Sequence, residues 1–252
     1  MRAVALLALL VLGGPAWAEN QDENQDVCRT AEAQVGTSFA LPHAAQSVAN
    51  KRLNVLVVGA GSSALPGPEG VRKAYPARLQ AALDEAMPGT TVTVASDVEP
   101  RRSAGQMVRV LPDALSKFKP ELVIWQIGTV DAMQGVDPDD FSRALEEGAS
   151  ITRAAGADLI LVNAQYSPRT ESMIALGTYA DLMRRVASQQ EMPLFDRFSV
   201  MKTWADLGIF DFYAKTKKLD TAEHVHDCIG RLLADLVLES VKLGEPQPQS
   251  GR

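Results

Sequence analysis

Long apolar runs, basic residues and cysteines are all scarce in this chain of 252 residues. Beyond the first residues no segment has about 18 uninterrupted apolar residues, which argues against a membrane span in the mature protein. Lys and Arg number 25 against 31 Asp and Glu, and a net charge of −6 without a basic stripe argues against a nucleic-acid partner. Only three histidines occur, and the single short cluster of histidines and acids is a poor signal for a metal site.

The first 18 residues are predicted to be a secretory signal peptide. Arg2 is a short basic region, residues 3–12 form an apolar core, and Ala16-Trp17-Ala18 is a small-x-small cleavage site. We therefore expect a periplasmic or secreted protein. In an oxidising compartment the two cysteines, Cys28 and Cys228, favour one disulfide, and two unpaired buried thiols are the alternative.

The rest of the chain is predicted to hold one domain. The expected segments are a leader with short helices at 19–50, the domain at 51–243 and a disordered polar tail at 244–252. Within the domain, apolar strand-like runs alternate with segments of helical periodicity, which predicts a three-layer α/β/α sandwich with a mainly parallel sheet. The predicted strands are 53–58, 91–95, 121–127, 158–162 and 193–195, and the predicted helices are 71–87, 105–117, 137–155, 173–190 and 221–242.

The loop after the first predicted strand has two interpretations. Gly59-x-Gly61-x-x-Ala64 matches a dinucleotide fingerprint, whereas Gly61-Ser62-Ser63 offers a serine nucleophile. A dinucleotide site needs a helix to open inside the glycine motif, but Pro66-Gly67-Pro68 follows almost at once. The acidic residue that would bind the ribose also comes too late, at Asp97. The serine interpretation is therefore favoured.

Over residues 53–237 the chain resembles the SGNH/GDSL hydrolase superfamily, whose fold is also flavodoxin-like. The resemblance rests on the order and spacing of several short motifs. These are Gly61-Ser62-Ser63, Tyr75-Pro76-Ala77-Arg78-Leu79, Gly105, Val123-Ile124-Trp125-Gln126-Ile127-Gly128-Thr129-Val130-Asp131, Ala155-Gly156-Ala157-Asp158, and Cys228 in the last helix.

The resemblance implies roles for four residues. Ser63 matches the nucleophile and Gly105 an oxyanion donor. His226 matches the general base, and Glu223, three residues earlier, is the acid that would orient it. The chemistry needs neither a cofactor nor a metal.

Two motifs depart from the superfamily pattern. Val130 stands where an asparagine amide would help to bind the oxyanion. In the final motif, an ungapped comparison anchored on Cys228 places Lys217 and Asp220 at the dyad positions, and a shorter loop gives Glu223 and His226. Asp220 with His224 is a further possible pair.

The expected function is that of an exported serine esterase acting on a small acyl or acetyl ester, with an envelope glycan as one candidate substrate. The alternative is a catalytically weakened or inactive binding or structural protein of the cell envelope.

Several other residues receive structural predictions: Trp125 and Met183, Met192 and Met201 in the core, Asp131 as a cap or support of its loop, and His43 and His224 near the surface. Gln165 and Tyr166 either line the cleft or pack in their loop.

Overall fold

The structure, a computed structural model, describes residues 27–213 and 219–245. The predicted signal peptide, most of the predicted tail and Lys217 lie outside the described residues, so the domain boundaries remain predictions. Within the described ranges no helix has the length and apolar character needed to cross a bilayer.

Five strands form one parallel sheet. They are β1 (Arg52–Gly59), β2 (Thr91–Val98), β3 (Leu122–Gln126), β4 (Asp158–Val162) and β5 (Leu194–Phe195). Their order in the sheet is β2-β1-β3-β4-β5. Every residue of β3 and β4 is buried, as expected for parallel strands covered on both faces. The predicted fold class is confirmed.

Helices cover both faces of the sheet. They are α1 (Pro42–Ala49), α2 (Gly70–Lys73), α3 (Tyr75–Ala86), α4 (Ala104–Phe118), α5 (Thr129–Gln134), α6 (Pro138–Ala154), α7 (Pro168–Glu171), α8 (Leu176–Gln189), α9 (Arg197–Asp206) and α10 (Asp220–Leu243). One layer contains α1, α3 and α10, and the other contains α4, α6 and α8.

The packing of α6 on β3 depends on a glycine. A Cβ on Gly148 would lie 2.3 Å from Cζ3 of Trp125, so only a residue without a side chain lets the helix approach the indole. Trp125 is buried in the core, as predicted.

The helix predicted over 71–87 is broken at Ala74, which is extended with ψ of 154°. The cause is Pro76, which has no N–H to donate and whose ring would clash with the carbonyl of residue 72 in a continuous helix. It instead begins α3 at its second residue. Helices α5, α7 and α9 were not predicted.

A disulfide joins Cys28 to Cys228, with 5.0 Å between the Cα atoms, and confirms the predicted pairing. It ties the start of the described chain to α10. Further along, the N–H of Leu41 donates to the carbonyl of Ser240 at 3.0 Å, so the same segment is held to α10 at a second point.

Candidate functional site

Every strand of the sheet is followed by polar residues at its carboxyl end. In open parallel sheets, ligands bind at this edge. These residues are Ser62 and Ser63 after β1, Ser103 after β2, Gln126 at the end of β3, Gln165 after β4 and Arg197 after β5.

The turn Gly61–Ser63 presents two hydroxyls to one amide oxygen. Ser63 donates to Oε1 of Gln126 at 2.5 Å, and Ser62 donates to the same atom at 3.0 Å. Ser63 is 2% exposed and also lies 3.1 Å from the hydroxyl of Tyr75. Ser62 is half-buried and therefore the more accessible of the two. The turn is a single 3₁₀ turn, and the next helix begins at Gly70, which agrees with setting the dinucleotide interpretation aside.

Gly59 makes room for the Ser63 side chain. A Cβ at residue 59 would lie 2.2 Å from Oγ and 3.0 Å from Cβ of Ser63. Any other residue at the end of β1 would therefore displace this hydroxyl from Gln126 and Tyr75.

Asp131 links the loop after β3 to the start of α4. Its carboxylate accepts from the N–H of Gly128 at 3.1 Å and from the N–H of Ala104 at 2.8 Å. Burial raises the pKa of Asp131, and these two N–H donors oppose that rise. The predicted role of Asp131 as support of its loop is confirmed. The bond to Ala104 places the first turn of α4, with Gly105, against this loop.

Gly105 lies in the first turn of α4, where backbone N–H groups have no carbonyl partner within the helix. Val130 is half-buried in the first turn of α5 and packs against the core. The neighbouring Thr129 accepts from the N–H of Gln165 at 2.9 Å, so its hydroxyl oxygen is engaged with the loop after β4.

His226 is buried in α10 and contacts Tyr75 in two ways. Its Nδ1 accepts from the backbone N–H of Tyr75 at 2.9 Å, and the two rings stack with their centroids 5.9 Å apart. Burial, together with the positive charge of Arg197, lowers the pKa of His226 to about 3. The imidazole is therefore neutral near pH 7, and because Nδ1 is an acceptor, its proton resides on Nε2.

Glu223 is oriented by a lysine. Its carboxylate pairs with Nζ of Lys73 at 2.8 Å, and the structure shows no hydrogen bond from it to His226. The other pair considered from sequence consists of Asp220 and His224, which are both exposed. Within the described residues, no hydrogen bond joins Ser63, His226 and Glu223 to one another.

Tyr75 connects the predicted nucleophile with the predicted base. Its hydroxyl meets Ser63 and its N–H meets His226, and it is fully buried, which raises its pKa. The sequence marked Tyr75 only as part of a helix motif. Gln126 lies in one of the motifs that resemble the superfamily, but nothing in its local sequence predicted that it accepts hydrogen bonds from the two serines.

Arg197 was missed by sequence reasoning. It is 0% exposed at the start of α9 and donates to the carbonyl of Ser62 at 3.0 Å and to Oε1 of Gln165 at 3.2 Å. Its guanidinium carbon lies 5.8 Å from the ring centroid of Tyr75. Burial lowers the pKa of Arg197 to about 10, which leaves it charged at neutral pH.

Most of the residues that were given structural predictions lie where the sequence placed them. Met183, Met192 and Met201 are in the core, and His43 and His224 are exposed, all as predicted. Gln165 lines a cavity, as the cleft interpretation predicts. Tyr166 is buried against Phe198, as the loop-packing interpretation predicts. In the described part of the chain no three side chains of the His, Cys, Asp or Glu type gather as they would around a metal.

Comparison with known families gives a match to the non-GDSL lipase-like family over residues 27–243. The chain belongs to this family. The match spans every strand of the sheet and the whole of α10.

Several solved structures have a fold similar to that of this chain. TesA shares 23% identity and a TM-score of 0.57, covering 73% of this chain and 99% of its own. The esterase EstA from Pseudoalteromonas shares 16% identity at a TM-score of 0.57, over 75% and 98%. The acetylxylan esterase Axe2 from Geobacillus stearothermophilus shares 14% at 0.58, over 75% and 94%. At these identities the likeness shows the fold.

A curated relative is an arylesterase from Vibrio mimicus. It is 26% identical over 128 residues, which is 51% of this chain and 62% of the relative. The alignment therefore leaves more than a third of the arylesterase unmatched.

Proposed function

We propose that this non-GDSL lipase-like protein hydrolyses small carboxylic esters with a serine hydroxyl of the Gly61–Ser63 turn. The observation that carries the proposal is the pair of hydroxyls held on Gln126 at the carboxyl edge of the sheet. Membership of the family and the likeness to an arylesterase support the same chemistry.

Ser63 is the first candidate nucleophile, since Tyr75 connects it to His226. Ser62 is the second, because its side chain is more exposed. In either case Oγ attacks the ester carbonyl and loses its proton to a base, the alcohol leaves with a proton, and water then hydrolyses the acyl-serine. Gly105 is the candidate oxyanion donor, through a first-turn N–H of α4.

His226 can serve as the base only after a rearrangement. Its Nδ1 is occupied by Tyr75 and its Nε2 already carries a proton, so one of these must be released before it accepts a proton from serine. A pKa near 3 also makes it a weak base. We therefore expect turnover to be slow for this fold.

The test combines labelling with kinetics. A fluorophosphonate probe followed by peptide mapping should label Ser63, and label on Ser62 would move the nucleophile to that residue. Hydrolysis of 4-nitrophenyl acetate should be lost in Ser63→Ala and reduced in His226→Gln. Ser188→Ala, which changes an exposed serine of α8, is the control. Equal activity in all variants would reject the proposal.

A second candidate is a binding or structural protein that no longer catalyses. The specific observation in its favour is that His226 is oriented by Tyr75 while Glu223 is paired with Lys73. Absence of both label and turnover in the folded wild-type protein would favour this candidate.

We also propose that the protein is exported and that its ester belongs to an envelope glycan. The signal-like residues 1–18 and the disulfide support export, since disulfides persist in oxidising compartments. The likeness to an acetylxylan esterase supports an acetylated sugar. N-terminal sequencing of the mature protein should begin at Glu19, and release of acetate should be measured on acetylated polysaccharides.

A further inference from the structure

Arg197 is a buried cation that no carboxylate compensates within the described residues. Its acceptors are the neutral oxygens of Ser62 and Gln165, and its Nε has no hydrogen-bond partner. The neighbouring acid, Asp196, is committed to Arg184, with 2.7 Å between Nε and Oδ2. Taking an unpaired charge out of water is costly, so an uncompensated guanidinium here calls for an anion.

Arg197 is one of the residues that line a cavity of about 260 Å³. Arg197, Gln165, Thr221 and His226 supply its polar lining, and the other side chains are mainly apolar, among them Val225. A small pocket with a few convergent polar groups is typical of a small-molecule site.

Among the residues that the structure describes, two other titratable groups line the cavity. His226 is neutral near pH 7, since its pKa is about 3. Asp211 is exposed, and it accepts from the N–H of Tyr213 at 2.8 Å. Water screens an exposed carboxylate, whereas the charge of the buried Arg197 acts in a medium of lower dielectric constant. The field at the buried end of the cavity is therefore positive.

We propose that this cavity holds a carboxylate of the substrate, and that the protein acts on esters whose acyl or alcohol part is acidic. The inference rests on the proposed ester hydrolysis. Arg197 has five N–H groups and spends two on Ser62 and Gln165, so donors remain for a carboxylate. Because Arg197 also binds the Ser62 carbonyl, a carboxylate on it lies beside the serine turn.

The first experiment compares mono-4-nitrophenyl glutarate with 4-nitrophenyl valerate on the wild-type protein at pH 7.5. We expect kcat/KM to favour the anionic ester by about tenfold or more, as for a hydrogen bond to a charged group. The preference should disappear in Arg197→Met and persist in Lys202→Met, which removes an exposed cation from the same helix. Turnover of both esters without preference would overturn the cavity proposal and leave the esterase proposal standing.

The second experiment measures binding without hydrolysis. Glutaramate, the monoamide of glutaric acid, should raise the Tm of the wild-type protein, and glutaramide, which has no carboxylate, should not. A shift without turnover of any ester would retain the anion cavity and reject ester hydrolysis. No shift and no anionic preference would overturn the inference. These wild-type measurements decide the question even if Arg197→Met does not fold.

Discussion

The backbone N–H of Tyr75 donates to Nδ1 of His226 at 2.9 Å. This bond fixes the neutral tautomer with its proton on Nε2. In a serine hydrolase triad the histidine has the opposite arrangement, with Nδ1–H donated to a carboxylate and Nε2 free to accept from serine. The buried imidazole of this protein therefore makes a structural contact in the state described, and its burial predicts how stability depends on pH.

The free energy of unfolding should depend on pH through His226. Unfolded His226 titrates near its ordinary pKa of about 6.5, and in the folded protein its pKa is about 3. Between these values the unfolded state binds more protons, so the free energy of unfolding falls as the pH falls through 6.5 toward 3. At pH 5 the contribution is a loss of about 2 kcal/mol relative to pH 7.5.

Urea unfolding of His226→Gln should show a smaller loss between pH 7.5 and pH 5 than the wild-type protein, since glutamine carries no titrating group. His224→Gln removes an exposed imidazole two residues away on the same helix and should keep the wild-type dependence. Identical pH dependence in all three proteins would contradict a buried, neutral His226.

Gly59→Ala should damage the serine turn directly. Its Cβ would overlap the Ser63 hydroxyl, which must then leave Gln126 and Tyr75. We expect a loss of roughly 1–3 kcal/mol in unfolding free energy and a loss of esterase activity. Gly36→Ala is the control, because no atom lies within 4 Å of the added Cβ. Unchanged stability and labelling in Gly59→Ala would refute this packing.

Gln126→Leu should separate positioning from binding. The variant removes the acceptor shared by Ser62 and Ser63, so kcat should fall by roughly 10- to 100-fold with little change in KM, as for a misplaced reacting group. Gln126→Glu keeps an acceptor oxygen and should retain more activity, with a new pH dependence from the carboxyl. Gln134→Leu, at an exposed position, is the control. A rise in KM alone would place Gln126 among substrate contacts instead.

Val130→Asn tests the missing oxyanion donor. An amide at this position should recover part of the roughly 10²–10³ in rate that one such donor supplies. Because Val130 is half-buried against the core, thermal stability must be measured alongside turnover of 4-nitrophenyl acetate. A stable variant with no gain in rate would mean that this turn of α5 does not face the reacting carbonyl.

The disulfide should dominate the redox dependence of stability. It closes a sequence separation of 200 residues, and the chain-entropy model gives about 5 kcal/mol for a loop of this size. Reduction should lower the urea midpoint of the wild-type protein accordingly. The double variant Cys28→Ala with Cys228→Ala should unfold alike with and without reductant. Equal midpoints for oxidised and reduced wild-type protein would contradict the expectation.

The sheet was predictable because each strand is marked by its own composition. Apolar runs such as Leu122–Gln126 are buried on both faces of the sheet, so the strand can be recognised from its own apolar residues. The disulfide followed from counting two cysteines in a chain expected to be exported. Asp131 was predictable as a loop support because it lies within reach of its own loop's N–H groups.

The partners of the site residues were not predictable, because they depend on which distant segments meet. An arginine side chain is normally exposed to water. Arg197 is buried because β5 ends at the same edge of the sheet as the serine turn. The three-residue spacing of Glu223 and His226 was compatible with a dyad. Lys73 and Tyr75, about 150 residues away in sequence, decide instead what each side chain binds.

The carboxylate of Asp131 has a mechanical consequence for the site. Its two oxygens hold the N–H of Gly128 and the N–H of Ala104, which belong to the loops after two different strands. The bond to Ala104 crosses between the two segments, and the bond to Gly128 fixes the carboxylate that accepts it, so the two segments move as one rigid unit. A substrate that needs more room must obtain it from segments that this carboxylate does not hold.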